Sequence, residues 1–226
     1  MPKESPLQQL NDYLPEGSFD DVAAYLHEYK VHLTVTRERK TVLGDYRNSV
    51  PNRNHRISVN GNLNKYSFLI TLLHELGHLL AFEKYGNKIP PHGTQWKNEF
   101  GKILAGFITK KIFPHDIEAE LLRSLKNPAA SSCAEAGLLR ILKKYDPHRP
   151  GFYFIEELSP NSFFKVKGGK IFNKGNKIRK RYLCKEVSSG KLFLFSPVAE
   201  VELVNIEKGN SDPFLNTKRE INQKDK

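Results

Sequence analysis

Cysteine is almost missing from this chain. Cys133 and Cys184 are the only two in 226 residues, and they form no Cys-x-x-Cys pair. That excludes a disulfide scaffold and a cysteine-based structural zinc site, and it implies reduced thiols. Cys133, in Ser131-Ser132-Cys133-Ala134, reads as a small buried residue with no charged neighbour in sequence to activate it as a nucleophile. Long hydrophobic runs are absent as well. The main apolar stretch, Phe68 to Phe82, is too short for a bilayer and carries three ionisable groups at its centre. The start, Met1-Pro2-Lys3-Glu4, shows no apolar segment of a signal peptide. Acids are outnumbered, 25 against 36 Lys and Arg, for a net charge of +11. The expectation is a cytoplasmic protein without membrane contact, nucleoid-associated if the positive charge serves DNA.

At the centre of that apolar stretch stands His74-Glu75-Leu76-Gly77-His78. Residues 66–85 contain no proline and lead into Gly86, which suits a helix C-cap. Positions four apart on a helix stack on one face, so His74 and His78 direct two imidazoles at one point, with Glu75 beside it. The surrounding leucines and phenylalanines cover the helix nearly all round, which predicts burial. Unpartnered histidines and a glutamate there would cost several kcal/mol, and a metal is the simplest common partner. Zinc bound by two imidazoles and a third protein group keeps a position for water, whose proton the adjacent carboxylate takes. The expectation is one Zn2+ ion and a hydrolase, most simply a peptidase, with Glu75 as general base.

The third ligand lies downstream. A metzincin pattern needs glycine and histidine where Ala81 and Lys84 stand, so that class is excluded. Glu99 sits at nearly the spacing of thermolysin-like enzymes. His92, in Pro90-Pro91-His92-Gly93-Thr94-Gln95-Trp96, follows stiffening prolines and precedes a glycine that leaves room near a metal. His92 is favoured, and Glu99 is the competitor.

His74-Glu75-x-x-His78, followed by His92-Gly93 and an aromatic, Trp96, resembles the SprT-like (SprT/Spartan) family of zinc metallopeptidases. Arg56-Ile57-Ser58-Val59-Asn60 is similar to the family's strand before the active-site helix. The resemblance covers roughly residues 18–113 and implies His92 as third ligand. It further implies a zincin-like α+β domain, with the active-site helix packed on a small sheet, and peptidase activity on DNA-associated or DNA-crosslinked proteins. Several members carry a C-terminal zinc ribbon, which the two separated cysteines here rule out; a metal-free, ribbon-like equivalent is expected instead, with Tyr182-Leu183-Cys184 the vestige of a ligand-bearing strand.

On these readings the chain has an N-terminal extension at 1–17, the metallopeptidase domain at 18–147, a basic antiparallel β unit at 148–207 and a polar tail, expected to be disordered, at 208–226. Helices are predicted over about Ser18–Tyr29 (Ser18 as cap), Tyr66–Tyr85, Thr94–Phe113 (Thr94 as cap), Asp116–Lys126 and Ser132–Tyr145. Strands are predicted at Val31–Thr36, at Thr41–Tyr46 pairing with it, and at His55–Asn60. The remaining histidines, His55 among them, read as surface or core residues.

Positive charge concentrates in the β unit. Residues 161–195 hold ten Lys or Arg against one acid, Glu186, a net of +9 in 35 residues. Such clustering is the footprint of phosphate-backbone binding. Lys174, Lys177, Arg179, Lys180 and Arg181 are the candidate nucleic-acid contacts, around a turn expected at Gly175-Asn176, and the partner expected is single-stranded or junction-containing DNA with its bound proteins. Interleaved Phe163, Phe164, Phe172 and Tyr182 could stack on bases, or could fill a small core. Two other functions compete: a nucleic-acid-binding protein whose zinc is structural, and a zinc hydrolase of non-peptide amides.

Overall fold

The computed structural model describes residues 6–39, 42–125 and 135–204. The chain divides into two compact units that meet at His148/Arg149. No helix among the described residues is long and apolar enough to cross a membrane.

The first unit opens with a 3-10 turn, Leu7–Asp12, and helix α1, Phe19–Glu28. Leu10 and Leu14 are buried in its core, and Tyr13 stacks on Phe68 with ring centroids 5.4 Å apart. Residues from Leu7 onward are therefore part of the domain and not an extension of it. Helix α1 starts after Ser18 as expected, with Asp20 and Asp21 in the first turn. The cap differs, because the Ser18 hydroxyl donates back to the Pro15 carbonyl at 2.7 Å.

Three strands follow: β1, His32–Thr36; β2, Gly44–Arg47; and β3, Arg56–Asn60. Their order is β1-β3-β2, with β3 parallel to β1 and antiparallel to β2. The expected pairing of β2 with β1 does not occur. Ile57 and Val59 of β3 are 1% and 0% exposed, so β3 carries the most apolar face and takes the centre, which leaves β2 at an edge.

Helix α2, Lys65–Tyr85, lies against β2, β3 and helix α3, Thr94–Thr109. Asn64 caps α2 by accepting from the Ser67 amide at 2.9 Å, and Gly86 ends it at φ +68°, where a side chain would be strained. Phe68, Leu69, Leu72, Leu73, Leu76 and Leu79 are wholly buried, each contributing about 1.5–3 kcal/mol of apolar burial. Gly77 permits the α2–α3 contact, since a Cβ there would stand 2.9 Å from Phe100 Cβ. Helix α3 is shorter than predicted, and Thr94 is its first residue, not its cap. The Gly93 position caps it because a turn closes there, with the Gly93 amide donating to the Pro90 carbonyl at 3.0 Å. Helices α4, His115–Ser124, and α5, Ala136–Leu142, complete the unit, and a 3-10 turn extends α5 to Tyr145. Asn127-Pro128 and Cys133 lie outside the described residues.

The second unit is one antiparallel sheet of β4, Phe152–Phe154; β5, Phe163–Lys165; β6, Ile171–Ile178; β7, Arg181–Glu186; β8, Leu192–Phe195; and β9, Glu200–Val204, ordered β4-β9-β5-β6-β7-β8. Its core holds Ile155, Leu158, Phe164, Phe172, Cys184 and Val201. Phe164 and Phe172 stack at 5.7 Å and are 0% and 3% exposed, so neither is available to a base. The tail from 208 lies outside the described residues.

Gly175-Asn176 does not turn the chain. It lies inside β6 at a bulge between Lys174 and Lys177, and the turn falls at Arg179-Lys180 between Ile178 and Arg181. Glycine is required at the bulge for another reason: a Cβ on Gly175 would meet the Leu183 carbonyl oxygen of β7 at 2.3 Å. Such a contact with backbone cannot be relieved by a rotamer change. Gly175→Ala is expected to destabilise the second unit by about 1–3 kcal/mol, read as a lowered unfolding midpoint in denaturant; an unchanged midpoint would refute the close approach.

Candidate metal centre

Helix α2 and the loop after it bring three imidazoles to one point. His74 and His78 are one helical turn apart, with ring centroids 5.1 Å apart. His92 Nε2 lies 3.2 Å from His74 Nε2 and 3.0 Å from His78 Nε2. Tetrahedral zinc with bonds of about 2.0–2.1 Å sets its nitrogen ligands roughly 3.3 Å apart, so the spacing fits a shared ion. All-imidazole donors also suit zinc rather than calcium or magnesium. Among the described residues these three are the group whose ligand atoms could hold a metal, all within 4.8 Å of one another.

Burial sets the protonation of the three imidazoles. It lowers the pKa of His74 to about 3, helped by the charges of His78 and His92. It lowers His78 to about 4, with His92 adding to the effect, and shifts His92 downward too. The imidazoles are thus neutral, the form a metal requires. Trp96 of α3 backs all three, its ring centroid 4.6, 5.2 and 4.7 Å from those of His74, His78 and His92. Phe100 stacks behind it at 5.0 Å.

His92 occupies a costly backbone position. Pro90-Pro91-His92-Gly93 forms a type II-like turn, with proline second and His92 third at φ +58°. That place usually belongs to glycine or asparagine. A larger residue there costs on the order of 1–3 kcal/mol, and such strain gathers at functional sites. Glu99 is engaged elsewhere. Its carboxylate takes bonds from Lys84 at 3.0 Å, Lys102 at 3.1 Å and the Tyr85 hydroxyl at 3.4 Å. Burial pushes its pKa up, but the lysine bonds outweigh this and hold it below the usual carboxylate value. It is not in the imidazole cluster.

Glu75 is 6% exposed. Burial, with the Asp45 charge, raises its pKa to about 8, and Arg39 opposes. Its carboxylate fits against Gly44 of β2, where a Cβ would stand 2.5 Å from Oε1 and 2.8 Å from Thr71 Cγ2. Gly44 was not anticipated, since a glycine in a strand-like stretch carries no signal of what it faces. A second unanticipated feature begins at Tyr46, whose hydroxyl donates to His55 Nδ1 at 3.0 Å. The Ser49 amide also donates to Nδ1, which leaves Nε2–H of His55 for Glu83 at 3.1 Å. Tyr46 is ring-parallel to His78 at 6.4 Å, so this chain ties β2 to the C-terminal half of α2 beside the ligands. Burial, then the Glu83 charge, raises the Tyr46 pKa and keeps the phenol neutral.

In the second unit, Lys177, Arg179, Lys180 and Arg181 are all exposed at the end of the β6–β7 hairpin. Lys174 departs from the expectation. It is 4% exposed, donates to the Leu158 carbonyl and lies over the Tyr182 ring at 4.4 Å, so it serves the interior. Lys170 and Lys165 are paired with Glu186 at 2.8 Å and Glu202 at 2.7 Å.

The family model of the SprT-like family matches residues 4–111. No curated protein and no solved structure matches the chain. The matched stretch contains α2, the ligand loop and α3, and that family is associated with zinc metallopeptidases.

Replacing His92 by Ala is expected to weaken zinc binding beyond the roughly 10–100-fold that outer-sphere partners are worth, while Glu99→Ala keeps one equivalent of zinc. Chelator competition with metal analysis measures both. Zinc lost from Glu99→Ala and kept by His92→Ala would reverse the assignment.

Proposed function

Starting from a chain that is SprT-like over residues 4–111, we propose that this protein is a zinc-dependent endopeptidase acting on proteins bound or crosslinked to DNA. One observation carries the catalytic half. Three imidazoles, and no fourth ligand among the described residues, converge beside a buried glutamate on the same helix. A structural zinc site closes its coordination with four protein groups, whereas a catalytic one keeps a position open.

His74, His78 and His92 would hold a zinc ion, which when bound would supply Lewis acidity towards water and a peptide carbonyl. Glu75 takes the proton of the attacking water and later delivers it to the leaving amine. Burial raises its proton affinity, and the charge of a bound zinc ion would hold the carboxylate ionised so that it can accept that proton. Gly44 leaves the room that lets that carboxylate lie close to β2. Trp96 and the Pro90–Gly93 turn keep the imidazoles in register without contributing a charge.

The exposed cations of the β6–β7 hairpin support the DNA half. Four of them at one end of a hairpin form a compact positive feature suited to phosphates. Burial removes Phe164 and Phe172 from base stacking, so electrostatics is its main basis, with Phe163 and Tyr182 only partly exposed.

Glu75→Gln is expected to retain zinc and lose cleavage of a DNA-bound protein substrate. Gly44→Ala, by displacing the same carboxylate, is expected to retain zinc and lose on the order of 10²-fold in rate. Wild-type rates in both variants would remove Glu75 from its role as base.

Charge reversal of Lys177, Arg179, Lys180 and Arg181 to Glu is expected to weaken single-stranded DNA binding. It should also reduce the slope of log affinity against log salt by up to about 3. An unchanged slope in a titration from low to moderate salt would count against this hairpin as the contact.

A further inference from the structure

Beside His78, on the flank formed by the second half of α2, the first unit has an open recess of about 220 Å³. Ala81 and Phe82 of α2, Ile89 and Pro91 of the ligand loop, and Trp96 give it apolar walls. Asn48 and Asn87 are polar but uncharged, and no Asp, Glu, Lys or Arg lines it. The Tyr46 hydroxyl on its wall is already donated to His55. Pockets that enclose a whole drug-sized ligand measure about 300–1,000 Å³, so this one is too small for such a molecule and suits a single projecting side chain.

We propose that this recess receives one uncharged, apolar side chain of the polypeptide substrate, aliphatic or aromatic, and so selects the bond that is cut. The inference rests on the peptidase reading and adds a substrate preference to it. The chemistry follows from the lining. An aspartate or lysine entering it would shed water and meet no Asp, Glu, Lys or Arg in the lining, whereas a leucine or phenylalanine would bury carbon against carbon. Ala81 lines it three residues beyond His78 on α2 and is 1% exposed, so a larger side chain there would take up part of its space. Asn87 is exposed in the short turn after α2, so it can be altered without disturbing the core.

The test uses the zinc-loaded full chain with single-stranded DNA and a matched set of peptides differing at one position, with Leu, Phe, Asp or Lys there. Cleavage is read by mass spectrometry. Binding of the same peptides to zinc-loaded Glu75→Gln is read by fluorescence anisotropy. The Leu and Phe peptides are expected to exceed the Asp peptide at least about tenfold in both measurements. Ala81→Leu should cut Phe-peptide use by a similar factor and spare the Leu peptide more. Asn87→Asp should raise Lys-peptide use severalfold and depress Asp further. Cutting that is indifferent to the varied residue, or a preference unchanged in both variants, overturns the proposal. If the wild type cuts none of the peptides, the peptidase reading fails, and the binding measurement decides the recess alone: selective binding of Leu and Phe upholds it, and uniform binding overturns it.

Discussion

His74 and Glu75 are buried in the apolar interior of the first unit and His78 and His92 are half-buried beside them, and that desolvation governs what surrounds them. Desolvation keeps His74 and His78 neutral and pushes Glu75 upward, to about 8. Polar groups in such a place need partners or a shared cation. The neighbouring elements answer this by approaching closely. Gly77 admits α3, and with it Trp96 and Phe100 behind the rings, while Gly44 admits the Glu75 carboxylate against β2. Each glycine is explained by the atom that lies where its Cβ would be. His92, the one imidazole of the cluster at a strained backbone position, is held by a proline-led turn whose backbone bond closes just before α3 begins.

The second unit follows a different logic. Its sheet encloses a small aromatic core, and part of its positive charge is used to complete that core. Lys174 satisfies the Leu158 carbonyl from inside, and Lys170 neutralises the buried Glu186. A count of basic residues therefore overstates the charge open to a partner. What stays exposed is narrower and better placed, at the Arg179-Lys180 turn and its flanks. The two units thus spend ionisable groups differently, one to create reactivity in a dry interior and the other to present charge to water.

Much of the site was legible along the chain because its spacing is short-range. His74, Glu75 and His78 lie within a single helical segment, and their relation follows from 3.6 residues per turn. His92 was legible as a candidate because Pro90-Pro91 and Gly93 announce a turn. The α+β class and the run of β segments after residue 151 were readable from pattern changes. Misreadings occurred where two plausible local signals existed. Gly175-Asn176 looked like a turn, yet the close approach of Leu183 uses that glycine at a bulge. Thr94 looked like a cap, yet a backbone turn at Gly93 took its place, and Ser18 holds the N-cap position while its hydroxyl bonds back to Pro15 instead of capping the helix. Leu10 and Leu14 looked like part of a loose extension, yet the core needed them.

By itself the sequence determined the ligand-bearing helix, the pair of histidines on one face, the adjacent carboxylate and the concentration of positive charge, because each depends on neighbours within a few residues. Tertiary structure alone separates His92 from Glu99, since it brings His92 to the two helix imidazoles and gives the Glu99 carboxylate to Lys84 and Lys102. It alone revealed Gly44 against Glu75, the Tyr46–His55–Glu83 chain and the recess beside His78. The paired contacts join residues 9 to 31 positions apart and the recess brings Tyr46 and Trp96 together across 50 positions, and no local periodicity encodes a contact between a strand, a loop and a helix that meet only when the core closes.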